Sequence, residues 1–247
     1  MNIRLKSKLK PEYHKNLERY KETDQIPVFL NEKFVTGDNE KYMKMYDWMS
    51  YGYDLVETVV GKLKYGNTIN KMRREIISRL EWKDNYSVLY ISIGTGKDLQ
   101  FIPETINKKT LDIVGADISM GMLKKCKKKF GKKLNLSLVN CCAEDLPFKD
   151  NEFDIVFHVG GINFFNDKKL AINEMLRVAK KGTKILIADE TEDYLENQYK
   201  KSKLSKKHFA GQTINLAEVE SNIPDTVTEK NMELMWDNKF YCITFRK

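Results

Sequence analysis

The pattern of hydrophobic and polar residues changes near residue 85. Before that point apolar residues recur at helical spacing, as in residues 72–80, and tyrosines are frequent. After it, short apolar runs alternate with helical stretches such as residues 120–130 and 170–179. The apolar runs are residues 87–93, 112–116, 134–140, 153–159 and 183–188. This alternation predicts a parallel β-sheet that is covered by helices on both faces.

The end of the chain has a different pattern. Residues 231–236 and 239–246 are apolar-rich and flank Asp237-Asn238, which predicts a closing antiparallel hairpin. We therefore expect an α/β domain over residues 85–247. Residues 1–84 carry no predicted sheet strand, and we expect them to form a helical cap that serves as a lid over the cleft.

Composition narrows the class of protein. Of the 247 residues, 41% are hydrophobic and 32% are charged, which is ordinary for a globular protein and excludes a disordered one. No apolar run approaches the roughly 18 residues that a membrane span needs. The basic N-terminus lacks the apolar core of a signal peptide. We expect no transmembrane segment and a cytoplasmic location.

The cysteines and lysines indicate no special chemistry. No C-x-x-C motif is present, so we expect no metal site and reduced, buried thiols at Cys126, Cys141, Cys142 and Cys242. The net charge of +8 comes mainly from lysine clusters at residues 124–133 and 200–207. Such clusters can bind nucleic acid or an anionic membrane. Because they contain few arginines and aromatic residues, we interpret them as solvated helix faces.

A glycine-rich turn follows the first apolar run. The strand predicted at residues 87–93 leads directly into Gly94-Thr95-Gly96, after which we expect a helix. Glycine lets the backbone approach a ligand closely because it has no Cβ. The turn also lies beyond the carboxyl end of a strand, where open α/β sheets bind ligands. A plain tight turn is the structural alternative.

Asp117 is the second candidate binding residue. It ends the second apolar run, 21 positions past Gly96. An acidic residue at about this distance accepts hydrogen bonds from ribose hydroxyls. Asp117 therefore indicates an adenosine-type ligand and leaves NAD and S-adenosylmethionine (SAM) both open. An ordinary helix N-cap by Asp117 or Ser119 is the competing interpretation.

Residues 141–157 carry the most specific signal. They read CCAEDLPFKDNEFDIVF, and residues 143–154 resemble the AExLPFxDxxFD motif of SAM-dependent methyltransferases, among them the ubiquinone/menaquinone biosynthesis group. Residues 173–188 resemble the REMxRVLKPGGxLLI segment of the same family, and Tyr46 with residues 53–55 resembles its entry segment. The resemblance implies a class I methyltransferase. Its fold is a Rossmann-like, seven-stranded, mostly parallel sheet with an antiparallel C-terminal hairpin strand.

The resemblance also implies the cofactor SAM and its binding residues. Residues 93–96 should follow the methionine part, Asp117 should bind the ribose hydroxyls, and Tyr53 should reach the cofactor carboxylate. Residues 142 and 143 should flank the adenine, and residues 158 and 159 should lie near the sulfonium. The implied set is Tyr53, Ile93, Gly94, Thr95, Gly96, Asp117, Ile118, Met122, Cys142, Ala143, Glu144, His158 and Val159.

Three positions depart from the family pattern. The family usually has an acid where Tyr90 stands, a glycine or alanine at Ser92, and often an aspartate at Cys142. The change at Tyr90 removes a counter-charge for the cofactor ammonium. The change at Cys142 removes an acceptor near the adenine amine, for which Glu144 or Asp145 is the expected substitute. Each such hydrogen bond to a charged group contributes about 1.5–3 kcal/mol.

A general base is needed only if the methyl acceptor is a hydroxyl or an acidic C–H group. Otherwise the enzyme chiefly aligns the reactants and excludes water. The candidate bases are His158, Asn163 and Asp189, although His158 on a buried strand also fits a packed core residue. The quinone-type family has Leu-Arg-Asn where this chain has Ile162-Asn163-Phe164. The missing arginine argues against a quinone precursor as substrate.

The acceptor itself is expected to be a small molecule. The fourth run is not followed by an Asn/Asp-Pro-Pro-Tyr/Phe signature, which argues against amino-methylation of DNA or of protein glutamine. An aromatic set suits an apolar or aromatic acceptor, or simply packs the cap onto the sheet: Tyr42, Tyr46, Tyr51, Tyr53, Phe164 and Phe165. The alternatives are an RNA-modifying methyltransferase and a SAM-binding protein without catalysis. The sequence leaves the oligomeric state open.

Overall fold

The computed structural model describes residues 3–15, 22–23, 25–50, 67–194 and 216–247. The helices are α1 (Ile3–Lys8), α2 (Pro11–Lys15), α3 (Gly37–Ser50), α4 (Thr68–Ser78), α5 (Met120–Phe130), α6 (Lys168–Val178) and α7 (Leu216–Ser221). The strands are β1 (Glu22–Thr23), β2 (Ile26–Pro27), β3 (Ser87–Ile91), β4 (Asp112–Asp117), β5 (Leu136–Asn140), β6 (Ile155–Val159), β7 (Lys184–Glu190), β8 (Thr228–Met235) and β9 (Phe240–Arg246). Two 3₁₀ helices span Lys97–Phe101 and Ile162–Phe164.

Seven strands form one sheet in the order β5-β4-β3-β6-β7-β9-β8. Strands β3 to β7 pair in parallel, and β9 lies antiparallel between β7 and β8. The predicted seven-stranded, mostly parallel sheet with an antiparallel C-terminal hairpin is confirmed. The direction in which successive strands are added reverses between β3 and β6, so a ligand crevice is expected beyond the carboxyl ends of these two strands.

Two elements around the glycine turn differ from the sequence predictions. Strand β3, the first strand of the main sheet in the chain, ends at Ile91 because Ser92 leaves the extended conformation with a φ of +53°. The α-helix expected after Gly96 is only the 3₁₀ helix Lys97–Phe101. Ile102 then takes an extended conformation, as favoured for a residue that precedes a proline, here Pro103. The first crossover of the sheet therefore contains only this short helical element.

The core fills both faces of the sheet. On one face, α4 and α5 contribute Ile76, Ile77 and Leu123 to a cluster with Val88 and Phe157 of the strands. The opposite face is covered by side chains of α1, α6 and α7, among them Leu5, Met175 and Val219. The expected buried, reduced thiols are confirmed for Cys126, Cys141, Cys142 and Cys242. No helix in the described part of the chain is long and apolar enough to cross a membrane.

The N-terminal segment is more than a helical cap. The prediction that residues before 85 carry no strand is wrong, because β1 and β2 pair there and Val28 bridges Asn140 at the edge of the main sheet. Leu9 forms a further bridge with Phe148, and its side chain is buried in the core. The segment thus pairs through its backbone with residues at the edge of the main sheet. Its helical hydrophobic spacing did not indicate this pairing.

Lys8 fastens the N-terminal segment to the start of the sheet. Its buried ammonium lies 2.7 Å from Ser87 Oγ, 3.1 Å from Glu152 Oε1 and 3.3 Å from Asp112 Oδ2. It also lies over the ring of Phe153, 5.3 Å from the centroid. Because a buried charge is stable only when paired, this arrangement fixes where α1 ends.

Substituting Lys8 with methionine tests this anchor. Lys8→Met leaves the Asp112 and Glu152 carboxylates half-buried without their cation, so we expect the free energy of unfolding to fall by about 2 kcal/mol or more. Lys44→Met is the matched control, since the Lys44 side chain is 68% exposed. The control should change stability by less than about 0.5 kcal/mol. Urea denaturation measures both, and equal midpoints for the two variants would contradict an anchoring role.

Candidate functional site

A cavity lies at the carboxyl ends of the parallel strands. Its wall includes Ile91 of β3, Ala116 of β4, Val159 of β6 and Asp189 of β7. Residues of α3, including Tyr42, close it from the side. The cavity thus occupies the crevice that the strand order predicts. Among the described residues, no group of His, Cys, Asp or Glu is arranged to hold a metal ion.

Asp117 lies at the end of β4 and is 9% exposed. Its carboxylate accepts hydrogen bonds from the backbone N–H of Gly94 at 2.7 Å and from that of Ser119 at 2.8 Å. Burial raises the pKa of Asp117 to about 6, and these backbone donors act against that rise. The carboxylate ties the glycine turn to β4 and still has lone pairs for hydroxyl donors in the cavity.

The glycine turn itself has two functions. Gly94 lines the cavity and gives its N–H to Asp117. Gly96 lies outside the cavity lining, and a Cβ there would sit 2.7 Å from Cys126 Sγ, so this glycine allows α5 to pack closely. Ser92 lines the cavity at a φ of +53°. A left-handed conformation costs a residue with a side chain about 1–2 kcal/mol, a cost that glycine would avoid at this position.

Asp98 supplies the carboxylate that Tyr90 lacks. The Tyr90 hydroxyl donates a hydrogen bond to Asp98 Oδ2 at 2.5 Å, and the Tyr90 ring stacks on Phe157. Asp98 is 1% exposed and pairs with the Arg73 guanidinium at 2.7 Å. Tyr90, Asp98 and Arg73 all line the cavity. Burial raises the pKa of Tyr90 well above its usual value, so its hydroxyl stays protonated as a donor.

Glu144 is the acid at the opposite part of the cavity. It is 3% exposed, and its Oε1 accepts a hydrogen bond from Asn39 Nδ2 at 2.9 Å. Cys142 is buried outside the cavity lining, and burial raises the pKa of its thiol to about 12. Asp145 also lies outside the lining, where it accepts a hydrogen bond from Asn31. Of the two acids expected to substitute for an aspartate at 142, Glu144 therefore faces the cavity.

Asp189 organises the loop that follows β6. Its carboxylate accepts hydrogen bonds from the backbone N–H groups of Gly161 at 2.9 Å, Asn163 at 3.3 Å and Glu190 at 2.8 Å. Burial raises the pKa of Asp189 to about 6, against the effect of these donors. This carboxylate lines the cavity, but its main hydrogen-bonding capacity is used within the protein.

His158 and Asn163 lie outside the cavity lining. His158 is fully buried, with Nδ1 3.2 Å from the Ile91 carbonyl oxygen and its ring edge against Phe165. Burial lowers the pKa of His158 to about 4, so the ring is neutral at pH 7. The Asn163 amide donates to the Glu190 carbonyl oxygen at 3.2 Å. Of the three candidate bases, the structure places Asp189 alone in the cavity wall.

The remaining wall is aromatic. Tyr42 stacks on Phe164, with ring centroids 4.2 Å apart. Tyr46, Phe165 and Phe240 also line the cavity. Phe164 and Phe165 belong to the loop after β6, and Phe240 is paired with Glu190 in the sheet. Tyr51 and Tyr53, which the sequence analysis adds to this set, lie outside the described residues.

Helix α3 is fastened to the start of α5. Asp47 Oδ1 accepts hydrogen bonds from Ser119 Oγ at 2.6 Å and from the backbone N–H of Gly121 at 2.9 Å. Asp47 therefore satisfies donors that the helix N-terminus leaves unpaired. A Cβ at Gly121 would lie 2.5 Å from Ser50 Oγ, so only glycine allows this close approach. The contact holds α3 over the cavity, next to Asp117.

The structure brings most of the candidate binding residues together. Those that line the cavity are Ile93, Gly94, Thr95, Asp117, Ile118, Met122, Ala143, Glu144, Val159 and Asp189. Those placed outside the lining are Gly96, Cys142, His158 and Asn163. Arg73, Asp98 and Glu190 also line the cavity, although the sequence motifs do not predict them as binding residues. Asp98 and Glu190 are acids adjacent to recognised motifs, so their position gave a signal, whereas Arg73 on α4 gave none.

Comparison with known proteins finds similarity to methyltransferases. Residues 89–187 match a family described as methyltransferase domain. The ubiquinone/menaquinone biosynthesis C-methyltransferase of Geotalea daltonii is 26% identical over 159 residues, which are 63% of this chain and 65% of that protein. The demethylmenaquinone methyltransferase of Renibacterium salmoninarum is 33% identical over 145 residues, 59% of this chain and 56% of that protein. The chain thus spans less than two thirds of these curated relatives.

A solved structure supports the same fold. The SAM-dependent methyltransferase of Thermotoga maritima superposes with a TM-score of 0.61 at 19% identity, over 83% of this chain and 99% of that one. The doubly wound sheet with its cavity at the switch point defines a class I methyltransferase fold. Together with the matched domain and the relatives named above, it supports a class I SAM-dependent methyltransferase with SAM as the cofactor. The family resemblance drawn from the motifs is confirmed.

The burial of His158 predicts a pH-dependent stability. The pKa of His158 is about 4 in the folded protein against an ordinary 6.5, so the unfolded chain binds the extra proton between these values. The stability of the wild type should therefore fall, as pH decreases from 7 to 4, by up to about 3 kcal/mol relative to His158→Phe. Urea denaturation at stepped pH measures this difference. Parallel stability curves would show that the ring is accessible to protons.

Proposed function

We propose that the protein transfers the methyl group of SAM to a small aromatic molecule. The observation that carries this proposal is that one cavity is lined both by the Asp117 carboxylate and by a group of aromatic rings. The carboxylate offers acceptors for a nucleoside. The rings of Tyr42, Phe164 and Phe165 suit a flat apolar ring. The methyl donor and the methyl acceptor can therefore both lie in this cavity.

The residues around Asp117 fit SAM. The Asp117 carboxylate can accept hydrogen bonds from both ribose hydroxyls, and Glu144 can accept one from the adenine amine. Ile118 and Met122 provide apolar surface for the adenine ring. Asp98 can pair with the cofactor ammonium in place of an acid at position 90. When bound, SAM supplies an electrophilic methyl group on a sulfonium, and the chain has to align the acceptor with it and exclude water.

Two considerations bear on the acceptor. The curated relatives named above are methyltransferases of quinone biosynthesis, which supports an aromatic ring as the acceptor. The loop Ile162–Phe164 lacks the arginine of that group. A ring compound other than a quinone precursor therefore also fits. We propose an acceptor of the hydroxylated aromatic class.

We also propose that residues 1–84 act as a cap on the domain of residues 85–247. Tyr42 and Tyr46 on α3 line the cavity, and Asp47 fixes α3 to α5. A segment that closes the cavity is expected to be more protected from hydrogen exchange when cofactor is bound. The predicted contact between Tyr53 and the cofactor carboxylate lies outside the described residues.

A turnover assay tests the proposed function. The protein is incubated with SAM and, separately, a reduced naphthoquinone, catechol, an aliphatic amine and bulk transfer RNA, and S-adenosylhomocysteine is quantified. We expect product with at least one hydroxylated aromatic compound and none with the amine. Turnover on RNA alone, with binding that weakens steeply with salt, would favour RNA modification. Tight SAM binding without turnover on any compound would favour a non-catalytic SAM-binding protein.

Asp117→Asn tests the cofactor site separately. Asparagine keeps the shape of the side chain but loses the charged carboxylate that accepts hydrogen bonds from the ribose hydroxyls. S-adenosylhomocysteine should therefore bind more weakly by about 2–3 kcal/mol. Asp145→Asn is the control, since Asp145 lies on the same side of the sheet but outside the cavity lining and should bind as the wild type does. Calorimetry measures both, with NAD as a second ligand. Unchanged affinity in Asp117→Asn, or tighter binding of NAD, would place the nucleoside elsewhere.

A further inference from the structure

We propose that Glu190 is the general base that takes the proton from a hydroxyl group of the aromatic acceptor. This inference rests on the proposed function and adds a catalytic residue and a substrate feature to it. Glu190 is the last residue of β7 and lines the cavity. The residue directly opposite it in the sheet, Phe240 of β9, lines the cavity as well.

The position of Glu190 is on the acceptor side of the cavity. The groups proposed for the nucleoside, Asp117 and Glu144, follow β4 and β5. Glu190 instead ends β7, which lies on the other side of the switch point, next to β6 and β9. The aromatic wall of Phe164, Phe165 and Phe240 belongs to the same side. A ring held against this wall would have Glu190 as the carboxylate beside it.

The other candidate bases have different roles. Asp189 accepts three backbone hydrogen bonds, and its carboxylate is used to hold the loop after β6. His158 and Asn163 do not line the cavity. By contrast, no residue in the described part of the chain donates a hydrogen bond to the Glu190 carboxylate. That carboxylate is free to accept a proton from a ligand.

The electrostatic surroundings of Glu190 suit proton transfer near neutral pH. Burial and the neighbouring Asp189 raise the pKa of Glu190 and Arg73 on α4 lowers it, with a net pKa of about 7. The other titratable or charged groups around this part of the site are Asp98, Lys97, Tyr90 and Tyr241. Asp98 is paired with Arg73, which limits the effect of that cation on Glu190. A base is most effective when its pKa is close to the working pH.

For a phenolic acceptor, the step joins a proton transfer to Glu190 with the transfer of the methyl group. The O–H bond breaks and the proton passes to a Glu190 carboxylate oxygen. The electron pair left on the acceptor forms the new bond to the methyl carbon, while the C–S bond breaks and its electron pair stays on sulfur. If the ring carbon beside the hydroxyl forms that bond, its hydrogen leaves as a second proton to water and the ring regains its aromatic electrons. After methylation at oxygen, Glu190 returns its proton to solvent. After methylation at carbon, it returns the proton to the phenolate oxygen of the product.

The test uses Glu190→Gln and Glu190→Asp, with the exposed Glu104→Gln as a matched control. The acceptor is the hydroxylated aromatic compound on which the wild type turns over. For Glu190→Gln we expect kcat to fall at least about a hundredfold. The increase of activity with pH around 7 should disappear, while the dissociation constant of S-adenosylhomocysteine stays within twofold. Glu190→Asp should keep the pH dependence at reduced kcat. The control should match the wild type.

A binding measurement gives a readout that does not depend on turnover. 4-Nitrophenol, whose ionised form absorbs visible light, is titrated with pH in the presence of S-adenosylhomocysteine and each protein. An ionised Glu190 beside the phenol disfavours the phenolate, so the bound probe should ionise at higher pH in the wild type than in Glu190→Gln.

The outcomes separate this inference from the proposed function. No turnover by the wild type on any hydroxylated aromatic compound would overturn the proposed function itself. Turnover by the wild type with unchanged kcat and probe ionisation in Glu190→Gln would overturn the role of Glu190 alone. A loss of S-adenosylhomocysteine affinity as large as the loss of kcat would make Glu190 a cofactor ligand and also overturn it. Thermal unfolding of each variant identifies a failure to fold, in which case Glu190→Asp decides through its pH profile and probe ionisation.

Discussion

Two buried carboxylates hold the loops from which the cavity is built. Asp117 at the end of β4 binds the N–H of Gly94 in the turn after β3. Asp189 at the end of β7 binds the N–H of Gly161 in the loop after β6. Each acid therefore joins its own strand to the loop of the neighbouring strand, on opposite sides of the switch point. Because charge-assisted hydrogen bonds are stronger than neutral ones, these loops have fixed positions. Burial raises the pKa of both carboxyls to about 6, against the effect of these hydrogen bonds.

Much of this arrangement could be predicted from the sequence, for identifiable reasons. Alternating apolar runs located β3 to β7, and the AExLPF-like motif located Glu144 on the cavity wall. Helix α5 begins at Met120 and ends at Phe130, where its pattern predicted. The placement of Gly96, Cys142 and His158 could not be predicted, because it depends on which way a side chain or a turn faces. Arg73 reaches the site only through the packing of α4 on the sheet, which no local pattern encodes.

The departures from the family pattern are matched by other residues of the same cavity. Tyr90 in place of an acid is accompanied by Asp98, which binds its hydroxyl and Arg73. Cys142 in place of an aspartate is accompanied by Glu144, which Asn39 holds in position. In both cases a carboxylate is present in the cavity wall, but a residue at a different position in the chain supplies it. Substitution of a motif residue therefore does not by itself indicate loss of the site.

The close approach of α3 to α5 has a consequence for how this chain can diverge. Any side chain at Gly121 would collide with Ser50, and the Asp47 contact also requires the backbone N–H of that residue. Positions 47, 50 and 121 are therefore constrained to change together during evolution, although position 121 lies more than seventy residues from the other two in the chain. Sequences that combine an aspartate, a small residue and a glycine at these places are expected to share this docked helix. Homologues without the glycine must have evolved another way to cover the cavity.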